Sequence, residues 1–170
     1  GEVISSEYQN TYFIQDETAG ISIYSGDDDV EAFLQANLGK EITISGERDE
    51  YSGLIQISHI ISYVVLGDPA TPIVALNVDE HQLDSDSLEP FQGQLVEFTG
   101  LIVVDTEIDG YGNTYFTLLD VISGKQITMK QDSRVTLSTE AQALLDSIEL
   151  ADVLTVTNPL AWKNGPYLYF

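Results

Sequence analysis

Asn10-Thr11-Tyr12-Phe13 returns later in the chain as Asn113-Thr114-Tyr115-Phe116, and the flanks return with it. Gly1-Glu2-Val3-Ile4 precedes the first tetrad as Gly100-Leu101-Ile102-Val103 precedes the second. Asp16 stands four residues before Gly20, and Asp120 four before Gly124. Alternating stretches follow each glycine, Ile21 and Ile23 in one case and Gln126-Ile127-Thr128-Met129 in the other. Next come a helix-like segment (30–34 against 140–145) and a strand-like one (41–46 against 152–157). Gly53 and Gly165 then open the final stretches, Leu54-Ile55-Gln56-Ile57 and Tyr167-Leu168-Tyr169-Phe170. One order of features run through twice constrains the fold more than composition does, because each copy must form the same supersecondary unit.

Within each copy the apolar pattern has period two and is punctuated by Gly, Asn and Asp, which reads as short strands joined by tight turns. Asp27-Asp28-Asp29 and Ser138-Thr139-Glu140 supply N-cap oxygens for one helix per copy. Three strands, a helix and two strands is the order of an OB-fold, a small Greek-key barrel; a plain five-stranded sandwich competes. The expected fold is all-β, with two tandem OB-fold-like five-stranded Greek-key barrels, each with one short helix between strands 3 and 4. The boundaries read as 1–66, an extended and acidic linker at 67–92, and 93–170. Residues 91–100 add a first half to the opening strand of the second copy, and the first copy lacks its counterpart. The chain therefore reads as truncated at its N-terminus and as part of something larger. Within the linker, residues 73–76 are expected as a further strand and the acidic residues 80–89 as solvated.

Lys plus Arg number 6 against 28 Asp plus Glu, a formal net charge of −22. A pI near 4.1 is far from the basic footprint of typical nucleic-acid binders, roughly above 9. No stretch approaches the ~18 apolar residues of a membrane helix. The absence of Cys removes disulfides, thiolate metal sites and cysteine nucleophiles. No metalloprotease, nucleophile-elbow, P-loop or dinucleotide motif occurs. Of the two histidines, His59 lies in an apolar run and reads as a packed strand residue, and His81 belongs to no motif. The chain is therefore expected not to be an enzyme.

Tyr12-Phe13-Ile14-Gln15-Asp16-Glu17-Thr18-Ala19-Gly20-Ile21-Ser22-Ile23-Tyr24 resembles the signature of OB-fold domains that accompany secreted bacterial nucleases and related phosphodiesterases. That pattern is an aromatic pair, Gln-Asp, a glycine and alternating apolar residues. Tyr51-Ser52-Gly53-Leu54-Ile55-Gln56-Ile57 resembles the family's final strand. The likeness is good over residues 1–65 and weak over 93–170, where Leu118-Leu119 replaces Gln-Asp. It implies a non-catalytic accessory region of a larger extracellular protein, a nuclease, that aids engagement of nucleic acid or substrate. The implied partners are single-stranded nucleic acid and a catalytic domain on the same parent chain.

OB-folds hold single strands by stacking bases on aromatic rings beside a positive groove. The aromatic candidates are Tyr12, Tyr24 and Tyr51 in the first copy and Tyr115 and Trp162 in the second, with Lys130 as the cation. Such aromatics more commonly fill a barrel. Asp105, Glu107 and Asp109 before Gly110 resemble half of a calcium loop, with Asp120 as a ligand from the next strand. Asp-Gly and Gly-Asn are also strong hairpin formers, so Ca2+ is an optional cofactor here and none is required. The competing function is an acidic structural or protein-interaction module that binds no nucleic acid and is stabilised by calcium.

Overall fold

The structure is a computed structural model that describes residues 1–8, 10–79, 83 and 85–170. His81 and part of the acidic stretch 80–89 lie outside the described residues. Strands β1 (Glu2–Tyr8), β2 (Thr11–Gln15), β3 (Gly20–Tyr24), β4 (Glu41–Tyr51) and β5 (Leu54–Gly67) close into a barrel in the order β1-β2-β3-β5-β4. The β3–β5 pair is parallel, and β1 meets β4 at Glu2↔Glu41. Helix α1 (Asp28–Ala36) follows β3. Its first turn is capped by Asp27, whose carboxylate accepts from Asp29 N (2.9 Å) and Val30 N (3.3 Å), and its Val30 and Leu34 plug the barrel core with Val3, Tyr12, Ile14, Ile23 and Ile42.

After the short strand β6 (Leu76–Asn77) and the turn of helix α2 (Ser85–Leu88), the second sheet contains β7 (Leu95–Ile108), β8 (Thr114–Asp120), β9 (Gln126–Gln131), β10 (Val153–Pro159), β11 (Ala161–Trp162) and β12 (Pro166–Tyr169). Its order is β10-β7-β8-β9-β12-β11, with β12 parallel to β9. This is the circular order of the first barrel, curled but without a ladder between β10 and β12 among the described residues. Helix α3 (Thr139–Ser147) occupies the same place after the third strand and is capped by Ser138 Oγ on Ala141 N at 3.1 Å. The fold is thus OB-fold-like and mostly β, one closed barrel beside one open half-barrel. The repeated Asp-to-Gly spacing has a physical cause. Asp16 accepts from Thr18 N and Ala19 N, and Asp120 from Ile122 N and Ser123 N, so each carboxylate closes the hairpin turn before the third strand.

The connection departs from an extended, solvated linker. Leu76 and Asn77, rather than 73–76, form its strand, parallel to β7. Val78, Leu83 and Leu88 are buried in the core of the second sheet. Apolar residues spaced through an acidic segment can cover a sheet edge while their neighbours stay wet.

Strand β2 is buried along its whole length because both of its faces are covered. Tyr12 and Ile14 point into the barrel, while Phe13 joins Leu54 in a core shared with the second sheet. Two buried glutamines stitch this junction. Gln15 Oε1 accepts from Leu95 N at 2.7 Å, and Gln92 accepts from Ile55 N and donates to Gly53 O, both at 3.1 Å. Glycines allow the approach: a Cβ on Gly20 would stand 2.2 Å from Gly93 O, and one on Gly93 would stand 2.6 Å from Ile21 N. Gly93 also sits at φ +75°, where a side chain is strained.

Gly93→Ala is expected to destabilise the protein by about 2–4 kcal/mol, summing left-handed strain and overpacking. Gly124→Ala carries the same kind of φ (+69°) with open space around it, and is expected to cost about 1 kcal/mol. Urea unfolding of both variants checks this; equal losses would mean that the junction is not tightly packed.

Candidate nucleic-acid interface

In an OB-fold the ligand face is formed by strands 2–3 and the loops between strands 1–2 and 4–5. Here the second sheet covers part of that face through Phe13, Gln15, Gly20 and Leu54. The remainder opens as a cleft of about 890 Å3. Its lining comes from the β1–β2 turn (Asn10), the end of β3 (Tyr24), the loop before α1 (Ser25, Gly26, Asp27) and the β4–β5 hairpin (Asp49, Tyr51, Gln56, Ser58, His59). Arg134, from the loop after β9, reaches it from the other sheet. Tyr24 and Tyr51 are 44% and 66% exposed. Beneath them lies a polar floor, with Thr11, Gln56 and Ser58 all buried. The register runs Ser22, Gln56, Asp49 side by side across β3, β5 and β4.

Asp49 is held at the rim of this floor. Its Oδ1 accepts from Glu50 N at 2.8 Å and its Oδ2 from Gln56 Nε2 at 3.3 Å, with Ser58 Oγ at 3.5 Å. The Glu50 N–H, then the Gln56 amide, keep the carboxyl below its ordinary range.

His59 corrects the expectation of a packed strand residue. Between the pairs Ser45↔Ser62 and Glu47↔Ser58 the β5 strand carries extra residues opposite Gly46, and His59 bulges outward at φ 45°. Gly46 is required opposite the bulge, since a Cβ there would lie 2.5 Å from Ser58 O. His59 Nδ1 approaches both Ser58 Oγ (3.3 Å) and Glu47 Oε2 (3.4 Å). A nucleophile–base–acid relay needs the two partners on different ring nitrogens, so this trio does not form one.

The other candidates are placed elsewhere. Tyr12 lies inside the barrel, its hydroxyl 3.4 Å from Glu31 O and 3.3 Å from Gln35 Oε1, and burial pushes its phenol up. Trp162 is 8% exposed and packs on Gly53, where a Cβ would stand 2.8 Å from its ring; beside it Asn164 N donates to Ser52 O at 2.7 Å. Tyr115 lies under the Lys130 ammonium, 5.7 Å from ring centroid to Nζ. Lys130 itself donates to Asp132 at 3.0 Å, and Arg134 binds the same carboxylate through Nε and Nη2, both at 2.8 Å. Asp132 is a buried anion between two cations, and the Arg134 guanidinium holds its carboxyl well below the usual carboxylate range.

The structure does not bring the four calcium candidates together. Asp109 uses both oxygens within its own hairpin, accepting from Tyr111 N and Asn113 N (2.9 Å each), Asn113 Nδ2 (2.8 Å) and Tyr115 OH (3.2 Å). Asp105 and Glu107 pair with Thr117 and Tyr115 along the β7–β8 ladder. Asp120 pairs with Leu101 at its far end, roughly 20 Å from the loop at ~3.4 Å per residue. Among the described residues no group of three or more His, Asp or Glu converges on a metal position.

Of the sequence candidates, then, only Tyr24 and Tyr51 share the cleft. Asn10, Asp49, Gln56, Ser58 and Arg134 were not singled out for it. A signal for part of this set existed. Residues at i and i+2 share a strand face, and folding the chain at Ser52-Gly53 sets Asp49 opposite Gln56.

No protein-family model and no curated protein matches the chain. Among solved structures it is similar to the p204 HINb domain, at 12% identity and a TM-score of 0.41, covering 99% of this chain and 90% of that one. It is also similar to p202 HIN1 in complex with a 12-mer dsDNA, at 16% identity and a TM-score of 0.41, covering 99% and 85%. A third is the Ifi202 HINa domain in complex with a 20 bp dsDNA, at 15% identity and a TM-score of 0.37, covering 94% and 79%. Likenesses of this size carry no weight for ligand or partner.

Asp132→Asn is expected to cost about 2 kcal/mol at pH 7, because it removes the buried charge that accepts from the part-buried Lys130 ammonium and the Arg134 guanidinium. A depressed folded pKa stabilises above the unfolded carboxyl value, ~3.9, and that stability drains away as pH falls below it. The gap between parent and variant in urea midpoint should therefore narrow between pH 5 and pH 2.

Proposed function

We propose that the chain is a non-catalytic, OB-fold-type binding region of a larger exported bacterial protein, a nuclease, and that the cleft between its two sheets takes single-stranded nucleic acid by the bases. The observation that carries this reading is the pair of exposed tyrosines, Tyr24 and Tyr51, set over a buried polar floor at the OB-fold ligand face. The resemblance of residues 12–24 to nuclease-associated OB domains supports the parent and the extracellular setting.

The charge decides which part of the ligand faces inward. Asp27 and Asp49 line the cleft, and the chain carries −22 overall. Four of the six cations have intramolecular partners: Lys40 with Asp68, Lys130 and Arg134 with Asp132, and Lys163 over the Tyr167 ring. A phosphate track is therefore not supported. Bases stacked on tyrosine, with phosphates turned to water, are compatible with an acidic cleft, since stacking contributes about 1–3 kcal/mol per base. Such binding depends little on counterion release, so its salt slope is shallow. The same charge favours a second reading, an acidic docking module that engages a basic surface of its parent protein.

Fluorescence anisotropy of a labelled single-stranded oligonucleotide separates the two. Saturable binding is expected, weakening only slightly between low salt and 150 mM salt. Tyr24→Ala and Tyr51→Ala should each weaken it about tenfold. Failure to bind under all conditions would leave the docking reading standing.

A further inference from the structure

We infer that Asp49 reads the edge of the base stacked on Tyr51 and selects bases that present hydrogen-bond donors, guanine first. This rests on the nucleic-acid reading above. Asp49 and Tyr51 stand two residues apart on β4, so their side chains share one face, about 7 Å apart along the strand. A purine lying on the Tyr51 ring can therefore turn its edge toward the carboxylate. Both residues line the cleft, and both are exposed there.

The carboxylate is fixed before any ligand arrives. Glu50 N holds Oδ1, and Gln56 Nε2, with Ser58 Oγ beyond it, holds Oδ2. Gln56 and Ser58 are buried in the floor, 7% and 5% exposed, and cannot follow a moving partner. A carboxylate offers about four acceptor sites, and these contacts do not exhaust them. Guanine presents N1–H and N2–H side by side, matching two oxygens in a plane. Cytosine and adenine present one amino group each, and aspartate accepts such donors in base recognition. Thymine places its single N3–H between two carbonyl oxygens, which an anion repels. The negative charge that excludes a phosphate is thus the feature that recognises a donor edge, and single strands expose those edges for reading.

The test measures anisotropy with the full chain on three labelled oligonucleotides: an oligo-dT, the same strand with two guanines, and that strand with hypoxanthine in place of guanine. The guanine strand is expected to bind about tenfold more tightly than oligo-dT. Hypoxanthine, which lacks the N2 amino group, should lose most of that gain. Asp49→Asn, checked for an unchanged melting temperature, should bring the guanine and dT affinities together. Equal affinities in the parent, or a guanine preference that survives Asp49→Asn, would overturn the inference while leaving nucleic-acid binding intact. No binding to any strand would overturn both.

Discussion

Two buried glutamines at the junction of the sheets set the geometry on which the rest depends. The Leu95 N–H, the Ile55 N–H and the Gly53 carbonyl lie where neither sheet's own ladder satisfies them. A buried backbone group without a partner costs about 1–3 kcal/mol, so Gln15 and Gln92 each replace a ladder bond with a side-chain bond across the seam. Directional bonds of this kind allow one relative placement, whereas the surrounding apolar contacts of Phe13 and Leu54 would tolerate sliding. Gly20 and Gly93 bring the backbones within reach. Since the seam uses the outer face of β2 and the start of β3, it also decides how much of the OB-fold ligand face stays open. The cleft is what the junction leaves uncovered.

The two sheets use similar sequence stretches for different ends. Tyr12 fills the first barrel, while Tyr115 lies between a hairpin carboxylate and an ammonium. Phe13 faces outward into the shared core, whereas Phe116 belongs to the core of its own sheet. Gly53, in the β4–β5 turn, receives the Trp162 ring. The inward faces differ by one residue: Tyr12 pairs with Ile23 inside the first barrel, whereas Phe116 pairs with Met129 inside the second sheet, and a one-residue offset turns every side chain to the opposite face. The Asp132 cluster ties Lys130 and Arg134 into the second sheet and directs Arg134 toward the first barrel's cleft.

Acidity acts locally as well as globally. Asp16, Asp27, Asp109 and Asp120 all accept backbone N–H groups at turns or helix starts. An Asp beside a Gly or Asn is as good a turn former as a metal ligand, and here Asp109 accepts from groups of its own hairpin. Asp49 differs in that its internal partners orient it at the edge of a cleft that has room for a ligand.

How far the sequence reached can be judged from particular residues. The strand order, the helix after each third strand, the Asp27 and Ser138 caps and the hairpin turns were legible, because period-two alternation and side-chain-to-backbone bonds are local, involving residues within a few positions of each other. Tyr24 and Tyr51 were among the aromatic candidates and lie exposed in the cleft. Trp162 and Tyr12 were not separable from them, because burial depends on what packs from elsewhere in the chain. His59 was misjudged because a bulge depends on the register with Gly46 across the hairpin. Asp120 was expected to reach the Asp109 loop from the next strand, whereas the antiparallel ladder sets it at the opposite end. The sequence by itself determined the strand alternation, the helix starts and the chemistry of the turns. Only tertiary structure decided which face of the first unit stays open, since the seam made by Gln15, Gln92 and the paired glycines joins residues distant in the chain, whose approach no local pattern encodes.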